Sequence, residues 1–202
     1  MSEAWPETTL GSVARVRRDR LDPSQLGEAL LIHYSIPVLD ETGRPVTEPA
    51  SGIGSQKFRV ISDAVLVSLL NPRIPRVWLA QGGEATVCST EFAVLVPTDE
   101  RQLTLGFLHF WCQSPPFWKA LQGRAVGTTG SRQRAKAEGL LSIPMFLPSL
   151  DEQRRIVDLI GALDVQVEAL DAEVGALRQS RVALLTSLLS GQVTIPESYD
   201  RS

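Results

Sequence analysis

The sequence is poor in the residues that build metal sites and covalent cross-links. Its 202 residues include only two cysteines, Cys88 and Cys112, and two histidines, His33 and His109. Two cysteines exclude a disulfide-rich scaffold and a four-cysteine zinc site, and we expect both thiols to be reduced and buried. The histidines lie far apart and outside any H-E-x-x-H frame. We therefore expect both histidines to be structural and the chain to hold no metal.

Long apolar runs are also missing. No stretch approaches the roughly 18 apolar residues that a membrane-spanning helix needs. The first residues have neither the basic nor the apolar segment of a signal peptide. The hydrophobic content of 43% is nevertheless enough to fill the core of one or two domains. We expect a cytoplasmic protein with no contact to a membrane.

The motifs of the common enzyme classes are absent as well. The sequence has no phosphate-binding loop, no dinucleotide-binding glycine motif and no nucleophile elbow. Two pairs of adjacent carboxylates, Asp40 with Glu41 and Asp99 with Glu100, are typical of solvated turns. The sequence predicts a protein that is not an enzyme and has no cofactor of its own. A hydrolase that uses one of the two histidines is the remaining catalytic alternative.

Charge is distributed unevenly along the chain. Residues 1–150 hold 15 lysines and arginines against 14 acidic residues, whereas residues 151–202 hold 5 against 9. The net charge of -3 argues against nucleic-acid binding by bulk charge alone. The different balance of the two segments indicates a body of residues 1–150 and an acidic tail.

The tail has the pattern of a coiled coil. No proline occurs between Asp151 and Pro196, and apolar residues recur every three or four positions, which is the heptad spacing. Arg181 occupies the one polar position of this seam. We predict a dimerising helix over 151–192, started by Asp151 as its cap and followed by a flexible tail, 193–202. The predicted seam comprises Ile156, Ile160, Leu163, Val167, Leu170, Val174, Leu177, Leu184 and Leu188. The alternative is one long helix buried against its own body.

The body predicts an α+β domain with a mostly antiparallel sheet. Apolar runs over 29–36 and 60–70 end at prolines and are typical of strands. We predict a strand pair over 85–88 and 91–96, a helix over 103–112 and a final strand over 139–146.

Three polar, basic segments of the body predict DNA binding. The main one, residues 123–136, carries four cations and no acid, together with glycines and hydroxyl side chains that suit phosphate contacts. Arginine and glutamine side chains there can pair with base edges in the major groove. Residues 55–59 and 71–76 form two further segments. The alternative is a coiled-coil adaptor that binds protein, in which these loops are incidental.

Several motifs together resemble one target-recognition domain of a type I restriction–modification specificity subunit. They are Trp5 with Leu10-Gly11, Tyr34-Ser35-Ile36-Pro37, Val65 to Ser68 with Asn71 to Trp78, Ser89 to Phe92, Gly127 to Arg134, and Ile143-Pro144 with Pro148 to Ile156. The last of these is the junction between recognition domain and helix. The resemblance covers most of the chain, but a typical subunit has two such domains and two helices, whereas this chain has one of each.

The resemblance implies a DNA-recognition subunit that directs other subunits in phage defence. Methyltransferase subunits, which use S-adenosylmethionine, and restriction subunits, which use ATP and Mg²⁺, would be its partners. The helix would pair with a second copy, giving a homodimer that reads a split palindrome, or with a different half-subunit. Its acidic face, which includes Glu168, Asp171 and Glu173, would meet the methyltransferase subunits. The predicted DNA contacts are Arg124, Thr128, Thr129, Ser131, Arg132, Gln133, Arg134, Lys136, Lys57, Arg59, Arg73, Arg76, Tyr34 and Ser35.

Overall fold

A computed structural model of the chain describes residues 5–127, 133–196 and 199. The chain divides into two compact units, Met1–Val157 and Asp158–Ser202. The strands are β1 (Glu7–Thr9), β2 (Ala14–Arg17), β3 (Arg20–Leu21), β4 (Leu30–Tyr34), β5 (Val46–Pro49), β6 (Lys57–Arg59), β7 (Ala64–Ser68), β8 (Val77–Ala80), β9 (Thr86–Ser89), β10 (Phe92–Pro97), β11 (Ala125–Val126), β12 (Arg134–Ala135) and β13 (Pro144–Phe146). The helices are α1 (Leu10–Val13), α2 (Ile36–Thr42), α3 (Leu105–Gln113), α4 (Pro115–Gln122), α5 (Ala137–Leu141) and α6 (Leu150–Leu189), with 3₁₀ turns at Pro23–Leu26 and Ala50–Gly52.

Two sheets form the centre of the first unit. One sheet has four strands in the order β2-β10-β7-β8, and the other has five in the order β3-β6-β9-β4-β5. All described pairings are antiparallel except that of β4 with β9. The predicted α+β class with a mostly antiparallel sheet and a long C-terminal helix is therefore confirmed.

The four-stranded sheet is covered on both faces. Val65 and Val67 of β7 lie in one core cluster with Phe107 and Phe117 of α3 and α4. Leu66, between them, lies in a second cluster with residues of the five-stranded sheet. Because successive side chains of a strand point to opposite faces, every residue of β7 is buried. The sheet is thus the middle layer between helices and the second sheet.

The predicted strand pair over 85–88 and 91–96 is wrong in its pairing. β9 pairs with β4 and β6, whereas β10 pairs with β2 and β7. The two residues between them, Thr90 and Glu91, carry the chain from one sheet to the other. Alternation of apolar residues locates strands but does not identify their partners, which non-local packing decides.

Two further expectations are corrected in the C-terminal part of the body. The predicted strand over 139–146 is instead helix α5 followed by β13, which pairs with β1. The predicted helix over 103–112 is confirmed as α3, whereas α4 was not predicted. Ser114 caps α4 by accepting the Phe117 N–H, and prolines begin the helix. A serine followed by prolines is a recognisable start signal.

Helix α6 begins earlier than predicted. Ser149 caps it, because its Oγ accepts the Glu152 N–H at 3.4 Å, whereas the predicted cap Asp151 lies inside the helix. Acidic residues in this first turn suit the helix dipole. In the described part of the chain, no helix is both long and apolar enough to cross a membrane.

Candidate nucleic-acid interface

Four strand ends of the first unit meet at one edge of the four-stranded sheet. β7 ends and β10 begins there, since Ser68 pairs with Phe92, and β8 also begins there, since Val67 pairs with Val77. β2 runs antiparallel to β10 and ends at the same edge. The loops that follow or precede these strands are therefore neighbours in space. We call this region the loop edge.

Two of the three predicted basic segments come together at the loop edge. The Asn71 N–H donates to the Gln133 carbonyl at 2.8 Å, and the Ala135 N–H donates to the Leu69 carbonyl at 2.9 Å. β12 thereby extends the end of β7 although the two segments are far apart in sequence. Asn71 has a φ of +48°, a conformation that asparagine tolerates better than most residues. This turn brings the exposed Arg73 to the same edge as Arg134.

Arg134 is held by a carboxylate at the loop edge. Its Nε donates to Glu91 Oε2 at 3.0 Å and its Nη2 donates to Glu91 Oε1 at 2.5 Å. The Arg134 side chain remains 59% exposed and that of Glu91 28% exposed. Two parallel hydrogen bonds to one carboxylate fix the plane of the guanidinium. Arg134 thus reaches solvent in a defined orientation.

A cleft of about 320 Å³ adjoins this pair. Two further cations lie at the cleft, the exposed Arg18 and Lys136. Arg18 is 3.6 Å from the Glu138 carboxylate, an exposed pair that contributes little to stability. The remaining lining residues are Leu69, Thr90, Glu91, Arg134, Ala135, Ala137 and Glu138. We define the basic edge as Arg18, Arg73, Arg134 and Lys136.

Three of the predicted DNA contacts have other roles within the first unit. Tyr34 is buried, and its hydroxyl accepts the Gln81 N–H. Lys57 is buried, and its ammonium donates to the Ser55 carbonyl and hydroxyl. The Arg124 guanidinium donates to the Ala120 and Ser142 carbonyls and to the Ser142 hydroxyl. We leave these three residues out of the proposed interface.

Arg76 and Ser35 also have structural roles. Arg76 donates from Nε and Nη2 to both carboxylate oxygens of Asp40, at 2.6 and 2.7 Å, and its side chain is only 11% exposed. This hydrogen bonding lowers the pKa of the Asp40 carboxyl. Asp40 lies in α2, which Ser35 caps by accepting the Val38 N–H. The ion pair between Arg76 and Asp40 therefore connects α2 to the loop edge.

The other predicted contacts remain predictions. Gln133 and Arg59 are half-buried. Four of the predicted contacts in the main basic segment lie outside the described residues, namely Thr128, Thr129, Ser131 and Arg132. Arg18 and Glu91 also lie at this site, although neither was among the predicted contacts. Glu91 directly precedes β10, and the neighbouring sequence does not indicate any partner for its carboxylate. Only the fold places that carboxylate beside Arg134.

A buried polar group lies in the five-stranded sheet. His33 Nδ1 is 2.7 Å from Glu48 Oε1, and His33 Nε2 is buried without a hydrogen-bond partner in the described structure. Burial lowers the pKa of His33, and it outweighs the opposing effect of the Glu48 hydrogen bond. Burial likewise lowers the pKa of Lys57. Among residues 5–127 and 133–196, we find no group of three or more His, Cys, Asp or Glu residues arranged to hold a metal ion.

Both cysteines are free and buried, as expected. Burial raises the pKa of the Cys88 thiol to about 12 and raises that of Cys112 as well. A thiol with so high a pKa is almost entirely protonated at neutral pH and is a poor nucleophile.

The second unit exposes the predicted heptad seam. Six seam residues from Leu163 to Leu184 are between 43% and 62% exposed, while Ile160 and Leu188 are partly exposed. Ile156 instead packs against the core of the first unit and does not belong to the free seam. An apolar stripe of this length exposed to water is characteristic of an interaction surface.

The fold of this chain is that of an α+β domain followed by one long helix, and it is found in solved type I restriction–modification subunits. The HsdS subunit from Thermoanaerobacter tengcongensis matches with a TM-score of 0.69 and 21% identity, over 100% of this chain and 52% of that subunit. A chain from a structure on the assembly and conformational transition of a type I system matches with a TM-score of 0.70 and 22% identity, over 100% of this chain and 52% of its own length. The S subunit from M. genitalium matches with a TM-score of 0.61 and 17% identity, over 94% and 47%.

This chain therefore spans about half the length of the subunits whose fold it shares. No family model matches the sequence, and no curated protein sequence matches it either.

Proposed function

We propose that this protein is the DNA-recognition subunit of a type I restriction–modification system, with a single recognition domain. The observation that carries the proposal is that the whole chain superimposes on half of an HsdS subunit. The match includes both the α+β domain and the long helix. These are the two parts that we expected from the resemblance of the sequence motifs to those of a specificity subunit. The basic edge would contact DNA.

The charge of the basic edge supports this assignment. Arg73 and Lys136 are exposed cations on loops supported by strand ends, the arrangement in which binding residues are commonly found. Lysine and arginine contacts to phosphate make binding dependent on salt. Because the whole chain carries a net charge of -3, its own binding to DNA would be weak and strongly salt-sensitive.

The exposed seam supports a dimer. A single apolar helix face requires another helix to cover it, and a second copy of the chain is the simplest source. Two copies related by a two-fold axis would present two identical domains to inverted half-sites. The target would then be a split palindrome. A different half-subunit in place of the second copy would give an asymmetric target.

The chemical steps would belong to partner subunits. Methyltransferase subunits with S-adenosylmethionine would modify adenine, and restriction subunits with ATP and Mg²⁺ would cleave DNA. In this division the chain itself is not an enzyme and selects the sequence. The acidic face that includes Glu168, Asp171 and Glu173 is exposed and would contact the methyltransferase subunits.

The test is a map of adenine methylation in cells with and without this gene, both expressing the methyltransferase subunits of the system. We expect a gene-dependent mark confined to a split palindrome. A split but asymmetric motif would support DNA recognition and replace the homodimer by a mixed pair. No gene-dependent mark, with the methyltransferase expressed, would contradict the proposal and favour the protein-binding adaptor.

A further inference from the structure

One ion pair of the loop edge has a geometry suited to reading a base. We propose that Glu91 is a positioning residue that orients Arg134 for hydrogen bonding to a guanine of the DNA target. This inference rests on the proposed function and names a residue pair through which the domain would discriminate between bases.

Among the described residues, the guanidinium of Arg134 has a partner on one edge and none on the other. A guanidinium presents two edges with parallel N–H groups, Nε with Nη2 and Nη1 with Nη2. Glu91 takes the first edge through both of its oxygens. Within the described residues these are the only hydrogen bonds of the Arg134 side chain, which is 59% exposed. The free edge matches guanine, whose O6 and N7 accept two parallel hydrogen bonds in the major groove.

The backbone that carries Arg134 is fixed from two sides. Arg134 pairs with Val126 of β11 and forms a bridge to Leu70 at the end of β7. The next residue donates its N–H to the Leu69 carbonyl at 2.9 Å. An arginine on a constrained backbone, with its plane set by a carboxylate, loses little conformational freedom when it binds. This is the support that a base-reading side chain requires.

The position of the carboxylate favours a role in specificity. A negative charge among the cations of the basic edge opposes the approach of DNA phosphates. Glu91 therefore weakens binding to any sequence, and its benefit must come from the orientation of Arg134. Arg76 has a similar pairing with Asp40, but its side chain is only 11% exposed, which leaves little of the guanidinium available to a base.

A matched pair lies at the opposite end of the sheet. Asp99 follows the C-terminal end of β10, and Arg101 donates to it from Nε and Nη2 at 3.1 and 3.0 Å. Arg101 is 90% exposed. This pair has the same chemistry as Glu91 with Arg134 and lies away from the basic edge. Asp99→Asn is thus a control that removes the same charge.

The experiment selects binding sites from random duplex DNA with the full chain in complex with the methyltransferase subunits. The variants are Glu91→Gln, Arg134→Lys and Asp99→Asn. We expect Glu91→Gln and Arg134→Lys to reduce the preference for guanine at the same single position of each half-site, by about tenfold, the size expected for a bidentate contact. Preferences at the other positions should persist, and Asp99→Asn should select the wild-type motif.

A second readout separates positioning from general stability. We expect Glu91→Gln to bind unselected DNA as tightly as the wild type or more tightly, because one negative charge is lost, which would also show that the variant is folded. An unchanged motif in Glu91→Gln, or a uniform loss of affinity for all sequences, would overturn the inference and leave the proposed function intact. Failure of the wild-type complex to select any motif would overturn both.

Discussion

At the scale of single residues, Gln153 joins the long helix to the body. Its side chain is fully buried. Its Oε1 accepts the Thr104 N–H at 2.8 Å, and its Nε2 donates to the carbonyls of Gln102 and Pro148 at 2.8 and 3.0 Å. One turn further along α6, Val157 lies against Gly106, where an added Cβ would come within 3.1 Å of the valine side chain. The amide thus anchors the first turns of the helix to the loop before α3.

We expect Gln153→Ala to lower the free energy of unfolding of the first unit by about 3 kcal/mol. The substitution removes the hydrogen-bond partner of the Thr104 N–H and of the Gln102 and Pro148 carbonyls, and a buried polar group that loses its partner costs about 1–3 kcal/mol. Urea denaturation followed by tryptophan fluorescence measures the loss. Gln179→Ala, at an exposed position of the same helix, is the control. Equal effects of the two substitutions would contradict the anchoring role.

A second residue-scale prediction concerns His33 and pH. Burial lowers the pKa of His33 below the usual histidine value of about 6.5, so the unfolded chain binds a proton more readily than the folded protein. The stability that this residue contributes is present above about pH 6.5 and is lost as the pH falls below it. We expect His33→Gln to show a flatter decline of unfolding free energy than the wild type between about pH 7 and 5. Parallel profiles in urea denaturation would show that His33 does not titrate as described.

At the scale of elements, α6 has one face suited to pairing. Val167 and Val174 lie in the heptad seam, whereas Val165, which is 67% exposed, lies off it. A seam residue is buried only when a second helix packs against it. This difference between positions on one helix provides a direct test of the proposed dimer.

We expect Val167→Asp with Val174→Asp to convert the dimer to a monomer, measured by multi-angle light scattering. Two carboxylates would have to lose their hydration in an apolar seam, at a cost that a helix pair cannot recover. Val165→Asp with Ala172→Asp adds the same charge off the seam and should leave the dimer intact. An unchanged mass of the seam variant would mean that this face does not hold the copies together.

The same helix illustrates what local sequence predicts at this scale. Heptad spacing and the absence of proline identified α6, and the apolar spacing over 103–112 identified α3, because both signals lie within one element. The predicted pairing of β9 with β10 was wrong. The link between the two strands, Thr90 and Glu91, has the length of a hairpin turn and therefore suggested that they pair. Both faces of β10 are buried, and a strand with this pattern could pair either with β9 or with β2 and β7. The packing of the whole core decides between these two pairings.

At the scale of the whole molecule, the uneven distribution of charge agrees with the proposal that one part of the chain binds DNA and another binds partner subunits. The first 150 residues are almost neutral and the remainder is acidic, so the proposed surface for DNA and the proposed surface for protein partners are separated along the chain. A two-fold axis through the seam would duplicate the basic edge without any additional sequence. The methylation map therefore tests symmetry and recognition together, because a palindrome requires two identical readers.

Periodicity and composition are enough to predict the α+β fold class, the long helix with its apolar seam, and the segments in which basic residues are concentrated. These properties depend on periodicity and composition, which are local. Which cations face solvent is visible only in the folded chain: Lys57 and Arg124 form hydrogen bonds within the body, while Arg18 and Arg134 line one cleft. Whether a charge is buried, paired or free depends on partners distant in sequence. Glu91 and Arg134 form an ion pair only because the fold places the first residues of β10 and β12 at the same edge.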